Sequence, residues 1–248
     1  MKLAGITCVV AIAALAQSVT VQMQRAIYLE ETAGDVDGAI QIYRQILAAG
    51  PEARAYEAEA QFHLGASLLR KGNKAQAARA FQELMRKWPE QTSLVDRASV
   101  HYVDPVGYSF TIPTGWGLHP RLPFNGGPGT CVDLQDPENQ GTATICAKPH
   151  TSQPGTIDDQ LLKGEAELAK RARPFTMHPG SPNFGWIGGQ RTLTAIADFL
   201  TGSGRSTEWA TWVQTHKYRS SVIVVTRTQD FEAFQARFLP ILNSFKLP

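Results

Sequence analysis

Gln61-Phe62-His63-Leu64-Gly65-Ala66-Ser67-Leu68, then Ala77-Ala78-Arg79-Ala80-Phe81, then Pro89, is the stretch that decides the architecture. Leu64 and Leu68 stand four residues apart, on one face of a helix. Gly65 and Ala77 are small enough to let two helices approach closely, and Leu64 and Phe81 fill the gap between them. Pro89 stops the second helix.

The same register occurs once before. Ala39, Tyr43 and Pro51 repeat as Ala77, Phe81 and Pro89, 38 residues later, and Gly34 and Gly72 end the helix preceding each Ala. Around these landmarks the chain is rich in Ala, Gln, Glu, Leu and Arg, all strong helix formers except the capping glycines. This register resembles the tetratricopeptide repeat (TPR), with Gln61 and Leu68 where that family prefers Trp and Tyr, and with a period longer than the usual one. The first copy matches only in its second helix. The resemblance implies paired helices over residues 17–92. Leu64, Gly65, Leu68, Ala77, Phe81 and Pro89 then serve repeat packing, and a concave face takes a protein or peptide partner without catalysis. Two copies leave an open end, to be covered by the second domain, by another subunit in a homo-oligomer, or by a partner.

Charge excludes one class of partner. The 248 residues carry 24 Lys+Arg and 22 Asp+Glu. The balance holds within each part: ten basic and ten acidic residues from Gln17 to Arg97, thirteen and twelve after Ala98. Nothing here holds nucleic acid by bulk charge.

Met1-Lys2, the apolar run Leu3–Leu15 and Ala14-Leu15-Ala16 have the layout of a secretory signal peptide, residues 1–16. An uncleaved N-terminal anchor is the alternative, although the run is shorter than the ~20 residues a spanning helix needs. Cleavage would remove Cys8 and leave Cys131 and Cys146. Two strands flank the turn-forming Gln135–Gly141, and pairing Leu134 with Ala143 sets Cys131 directly opposite Cys146. A disulfide is expected there, with two free buried thiols as the alternative. No integral membrane segment is expected after cleavage, and the expected location is periplasmic or secreted.

Residues 93–99 read as a linker, and texture changes after it. Residues 100–248 read as strand, strand, hairpin, a helix over Thr156–Ala172, three long strands and a closing helix from Phe231 to Phe245. Asp104-x2-Gly107-Tyr108-Ser109-Phe110-x-Ile112-Pro113-x-Gly115-Trp116 is similar to the opening of PsbP-like and DcrB-like domains. Ile241-Leu242-Asn243-Ser244-Phe245 is similar to their ending. That resemblance implies an α/β/α sandwich around a central antiparallel sheet. The whole chain is therefore expected to be α+β, its helical repeats followed by an exported binding or assembly module with no catalytic residue to carry over.

Catalytic and metal patterns are missing. None of the six His forms an H-x3-H or H-E-x2-H pair, no G-x-S-x-G occurs, and Gly126-Gly127-Pro128-Gly129 lacks the Lys of a phosphate loop. No cofactor, metal or catalytic residue is assigned. The expectation is a non-enzymatic adaptor or assembly factor of the cell envelope. The alternative is a small-ligand or glycan module using a long loop, 173–189, with Phe175, His178, Phe184 and Trp186.

Overall fold

The computed structural model describes residues 18–121, 129–149, 175–215 and 218–247. The segment 1–16 and the helix expected over Thr156–Ala172 lie outside the described residues.

The first half is helical. Helix α1 spans Val19–Tyr28 and continues into a π-turn at Leu29–Ala33. Helix α2 spans Val36–Ala48, α3 Glu57–Arg70, α4 Lys74–Lys87 and α5 Thr92–Arg97. The repeat register appears in the caps. Asp35 and Asn73 stand at equivalent positions, each accepting a backbone N–H three residues on, from Gly38 and Gln76. Before each stands a glycine in the left-handed conformation, Gly34 at φ 72° and Gly72 at φ 78°, which ends the previous helix without a Cβ clash. Ala39, Tyr43, Ala77 and Phe81 are all buried between the hairpins. Two details differ from the sequence reading. A 3-10 turn at Gly50–Ala53, carrying Pro51, delays α3 to Glu57. The stretch read as a linker is mostly helix α5, and the first strand begins at Ser99.

The second half is an antiparallel sheet. Strands are β1 Ser99–Val103, β2 Ser109–Pro113, β3 Gly117–Arg121, β4 Thr130–Gln135, β5 Gly141–Pro149, β6 Phe175–Met177, β7 Asn183–Ile187, β8 Gln190–Thr201, β9 Gly204–Gln214 and β10 Tyr218–Arg227. The first two form their own ribbon, and the remaining eight make one sheet in the order β3-β4-β5-β10-β9-β8-β6, with β7 also on β8. Leu134 pairs with Ala143 and Cys131 with Cys146, and a disulfide joins the two cysteines. Helix α6, Phe231–Asn243, runs through Pro240 and covers one face. Its Phe231, Phe234 and Phe238 pack with Val132, Ile145, Trp209, Val222 and Val224. Trp116 is buried edge-on against Phe234, with centroids 5.9 Å apart, so it is a core residue.

The stretch 173–189 is not a long loop. Within it β6 and β7 both pair with β8, and the intervening residues 178–182 form a short excursion. The Gly and Pro residues of that excursion hid the strands from a pattern reading.

The two halves share a core. Ala78 of α4, only 2% exposed, packs into the sheet-half cluster. Gly115 is pressed so close to α4 that a Cβ there would lie 3.0 Å from the Lys74 carbonyl oxygen. Gln82 donates from its Nε2 to the Arg237 carbonyl at 2.6 Å, and Arg79 pairs with Glu138 at 2.9 Å. The outer side of the last repeat thus packs on the second domain. Among the described residues no helix is long and apolar enough to cross a membrane.

Candidate functional site

Packing in the helical half decides which residues face outward. Leu64, Gly65, Leu68, Ala77 and Phe81 are buried, and Pro89 is exposed just beyond α4. Gln61 is buried too, its Nε2 donating to the Ala80 carbonyl at 3.0 Å. Largely buried themselves, Gln61, Leu64 and Leu68 still line an open recess of about 440 Å³ with Arg44, Gln76, Arg79 and Glu83. A larger groove, of about 610 Å³, is lined by Arg54, Glu57, Glu59, Trp88, Glu90 and Leu94. A second recess of about 390 Å³ shares Glu57 and Trp88 and adds Leu47, Gln61, Glu83 and Lys87. Lys87 stands 5.7 Å from the Trp88 ring centroid, in cation–π range. Glu83 is held below the ordinary carboxylate range first by its hydrogen bond from Arg86, which outweighs the opposing effect of burial, and further by Lys87.

Beneath this surface lies a polar cluster that sequence reading did not find. Glu30, in the π-turn, is 4% exposed. Its Oε2 accepts from the Tyr43 hydroxyl at 2.8 Å and lies 2.9 Å from His63 Nδ1. Arg70 donates to the Glu30 carbonyl at 2.9 Å. Burial pushes the Glu30 carboxyl up, but the bonds from His63 and Tyr43 outweigh it and hold the group below its ordinary value. Burial, with Glu30 beside it, raises the Tyr43 hydroxyl well above its ordinary range. The partners come from two helices, α2 and α3, with Tyr43 and His63 13 and 33 residues from Glu30, so no local motif announces them.

The four residues proposed for a ligand loop do not converge. His178 Nε2 lies 2.9 Å from Asp198 Oδ1, and the ring stands edge-on to Phe231 under α6. Thr207 donates to the same Asp198 oxygen at 2.6 Å. Burial raises the Asp198 carboxyl, and the bonds from Thr207 and His178 more than reverse it, leaving it below its ordinary value. The Ser181 hydroxyl oxygen accepts the Ile196 N–H at 2.6 Å, which ties the excursion to β8. Phe184 and Trp186 belong to the other face: Trp186 sits opposite Arg191 and Phe184 opposite Leu193, alternating with the row that holds Asp198. Phe175 pairs with Phe199 at the start of the edge. Among the described residues no three His, Cys, Asp or Glu side chains gather to hold a metal.

Helical hairpins joined to an antiparallel sheet capped by a helix define the class. The tetratricopeptide repeat family model matches residues 59–90, which are α3, α4 and the turn beyond. No curated protein sequence matches the chain. Two solved structures are similar to part of this chain. The cyanobacterial PsbP protein CyanoP of Synechocystis sp. PCC 6803 has a TM-score of 0.46 and 17% identity, over 61% of this chain and 93% of that one. LpqN, involved in cell envelope biogenesis of Mycobacterium tuberculosis, has a TM-score of 0.46 and 16% identity, over 60% of this chain and 88% of that one.

Proposed function

We propose that the protein is an exported, non-enzymatic adaptor of the cell envelope whose helical half holds a protein or peptide partner. The observation that carries this reading is the division of labour around the second repeat. The outer face of α4 is committed to the sheet half, while the groove lined by Glu57, Glu59, Trp88 and Glu90 stays open. A half-exposed Trp amid carboxylates offers an apolar anchor with an acidic rim, suited to a segment that presents Lys or Arg beside an apolar side chain. The Cys131–Cys146 disulfide fits an oxidising compartment.

The reading is tested by affinity capture from the native host's envelope fraction with the full chain and with Trp88→Ala and Glu59→Lys variants. A partner retained by the parent and lost by both variants, with helix content unchanged, supports the adaptor. Equal retention by parent and variants overturns it.

A further inference from the structure

The sheet face opposite α6 carries a row of cations. Arg219 of β10 pairs with Lys148 of β5 on one side and with Gln214 of β9 on the other. Arg191 of β8 lies one residue before Thr192, whose partner is Val213, and so falls in line with Gln214. Trp186 of β7 pairs with Arg191 at the sheet edge. Val222 and Val224 of β10 face α6, so Arg219, alternate to them, faces away, together with the residues in register with it. At about 4.8 Å per strand the row from Arg191 to Lys148 spans ~14 Å.

Lys148 and Arg191 are exposed, and among the described residues no carboxylate pairs with Lys148, Arg191 or Arg219. Arg219 Nε is buried with no hydrogen-bond partner among them. A buried donor left unpaired is costly, and an acceptor that arrives from outside would relieve that cost. Among the described residues the carboxylates on this face are engaged or distant: Asp133 accepts from Thr144, and Glu208 is buried six residues up β9 from Gln214. Beside the row stands an aromatic platform. The Arg191 guanidinium lies 4.2 Å over the Phe184 ring, and Trp186 is 72% exposed, more than any other large hydrophobic side chain described.

We infer that this row is a binding site for an acidic saccharide. Carboxylate or phosphate groups along the chain would meet Arg191, Arg219 and Lys148, and a sugar ring would lie on the Trp186 indole. A flat, exposed indole suits the C–H face of a pyranose, and Arg forks suit carboxylate oxygens. The disulfide joins Cys131 to Cys146, two residues from Lys148 on the same face, and fits an oxidising compartment. The site is independent of the helical groove.

The test is calorimetric titration of the full chain with hexagalacturonate at low and at physiological salt. Binding that weakens with salt is expected, with maltohexaose, the neutral control, giving no heat. Trp186→Ala and Arg191→Gln alter exposed side chains and leave the fold intact by circular dichroism. Each is expected to weaken binding by about tenfold. No binding of hexagalacturonate, or parent-like binding by both variants, overturns the site. Equal affinity for polyglutamate or a single-stranded oligonucleotide overturns its assignment to saccharide.

Discussion

Gly65 and Phe81 touch with no room for a further atom between them. A methyl at Gly65 would stand 2.5 Å from the Phe81 ring, which is itself 2% exposed and walled in by the repeat core. Replacing Gly by Ala in a helix gains about 1 kcal/mol of propensity, whereas overpacking a full core costs about 1–3 kcal/mol. The contact is close enough that the second effect wins. Gly65→Ala is expected to lower stability by up to about 2 kcal/mol in urea unfolding. Adding Phe81→Leu should recover part of that loss, and strictly additive losses would show that the two residues are not in contact.

Cys131 and Cys146 close a segment of 15 residues between paired strands. Chain-entropy arguments give a bridge over such a loop roughly 3 kcal/mol as an upper figure, since the hairpin already restrains it. Reductant should therefore lower the unfolding midpoint of the parent and leave a Cys131→Ser/Cys146→Ser variant unchanged. A parent insensitive to reductant would mean that the bridge contributes nothing to stability.

Local and periodic features were legible in the sequence; contacts across elements were not. Asp35 and Asn73 cap their helices because each follows a glycine that ends the previous one, and a 38-residue register carries that information along the chain. The cystine was legible because one assumed pair, Leu134 with Ala143, fixes every other pair of the hairpin. Strands β6 and β7 were hidden: three and five residues long, they flank an excursion rich in Pro and Gly, and their partner β8 follows only after a turn. The Glu30 cluster and the Lys148–Arg219–Arg191 row are assembled by tertiary register alone. Trp209 and Trp212, three residues apart on β9, sit on opposite faces, Trp209 under α6 and Trp212 opposite Leu193.

Glu30 makes stability depend on acid. Its folded-state carboxyl titrates below the ordinary value, because the bonds from His63 and Tyr43 outweigh burial. A depressed folded value contributes stability that is present above the unfolded value, near 4.5, and is lost as pH falls through the folded one. Glu30→Gln should cost about 2 kcal/mol at pH 7, the scale of hydrogen bonds to a charged group. The gap between parent and variant should narrow below pH 4.5. Urea midpoints at pH 7 and pH 3.5 measure both, and a gap that does not shrink in acid would remove Glu30 from the account.

Ala78 and Arg237 couple the two halves. Asp136, fully buried, accepts from Arg237 Nη2 at 2.6 Å and Nε at 3.3 Å, which fixes α6 over the β4–β5 turn. The Arg237 carbonyl in turn takes the bond from Gln82 of α4, next to the contact of Ala78 with Gly115. Removing Asp136 would leave the Arg237 guanidinium with Glu138 at 3.6 Å and the Gln140 side-chain oxygen at 2.6 Å, and Asp136→Ala is expected to cost about 3 kcal/mol, the low end for breaking a buried pair. Ala78→Glu acts differently, because it drives an unpaired carboxylate into the joint where α4 meets the sheet-half core. In the parent, helix loss at 222 nm and loss of the near-ultraviolet signal of the sheet-half tryptophans should coincide in one transition. In Ala78→Glu the two should separate. Coincident transitions in that variant would show that the halves are held together elsewhere than at Ala78.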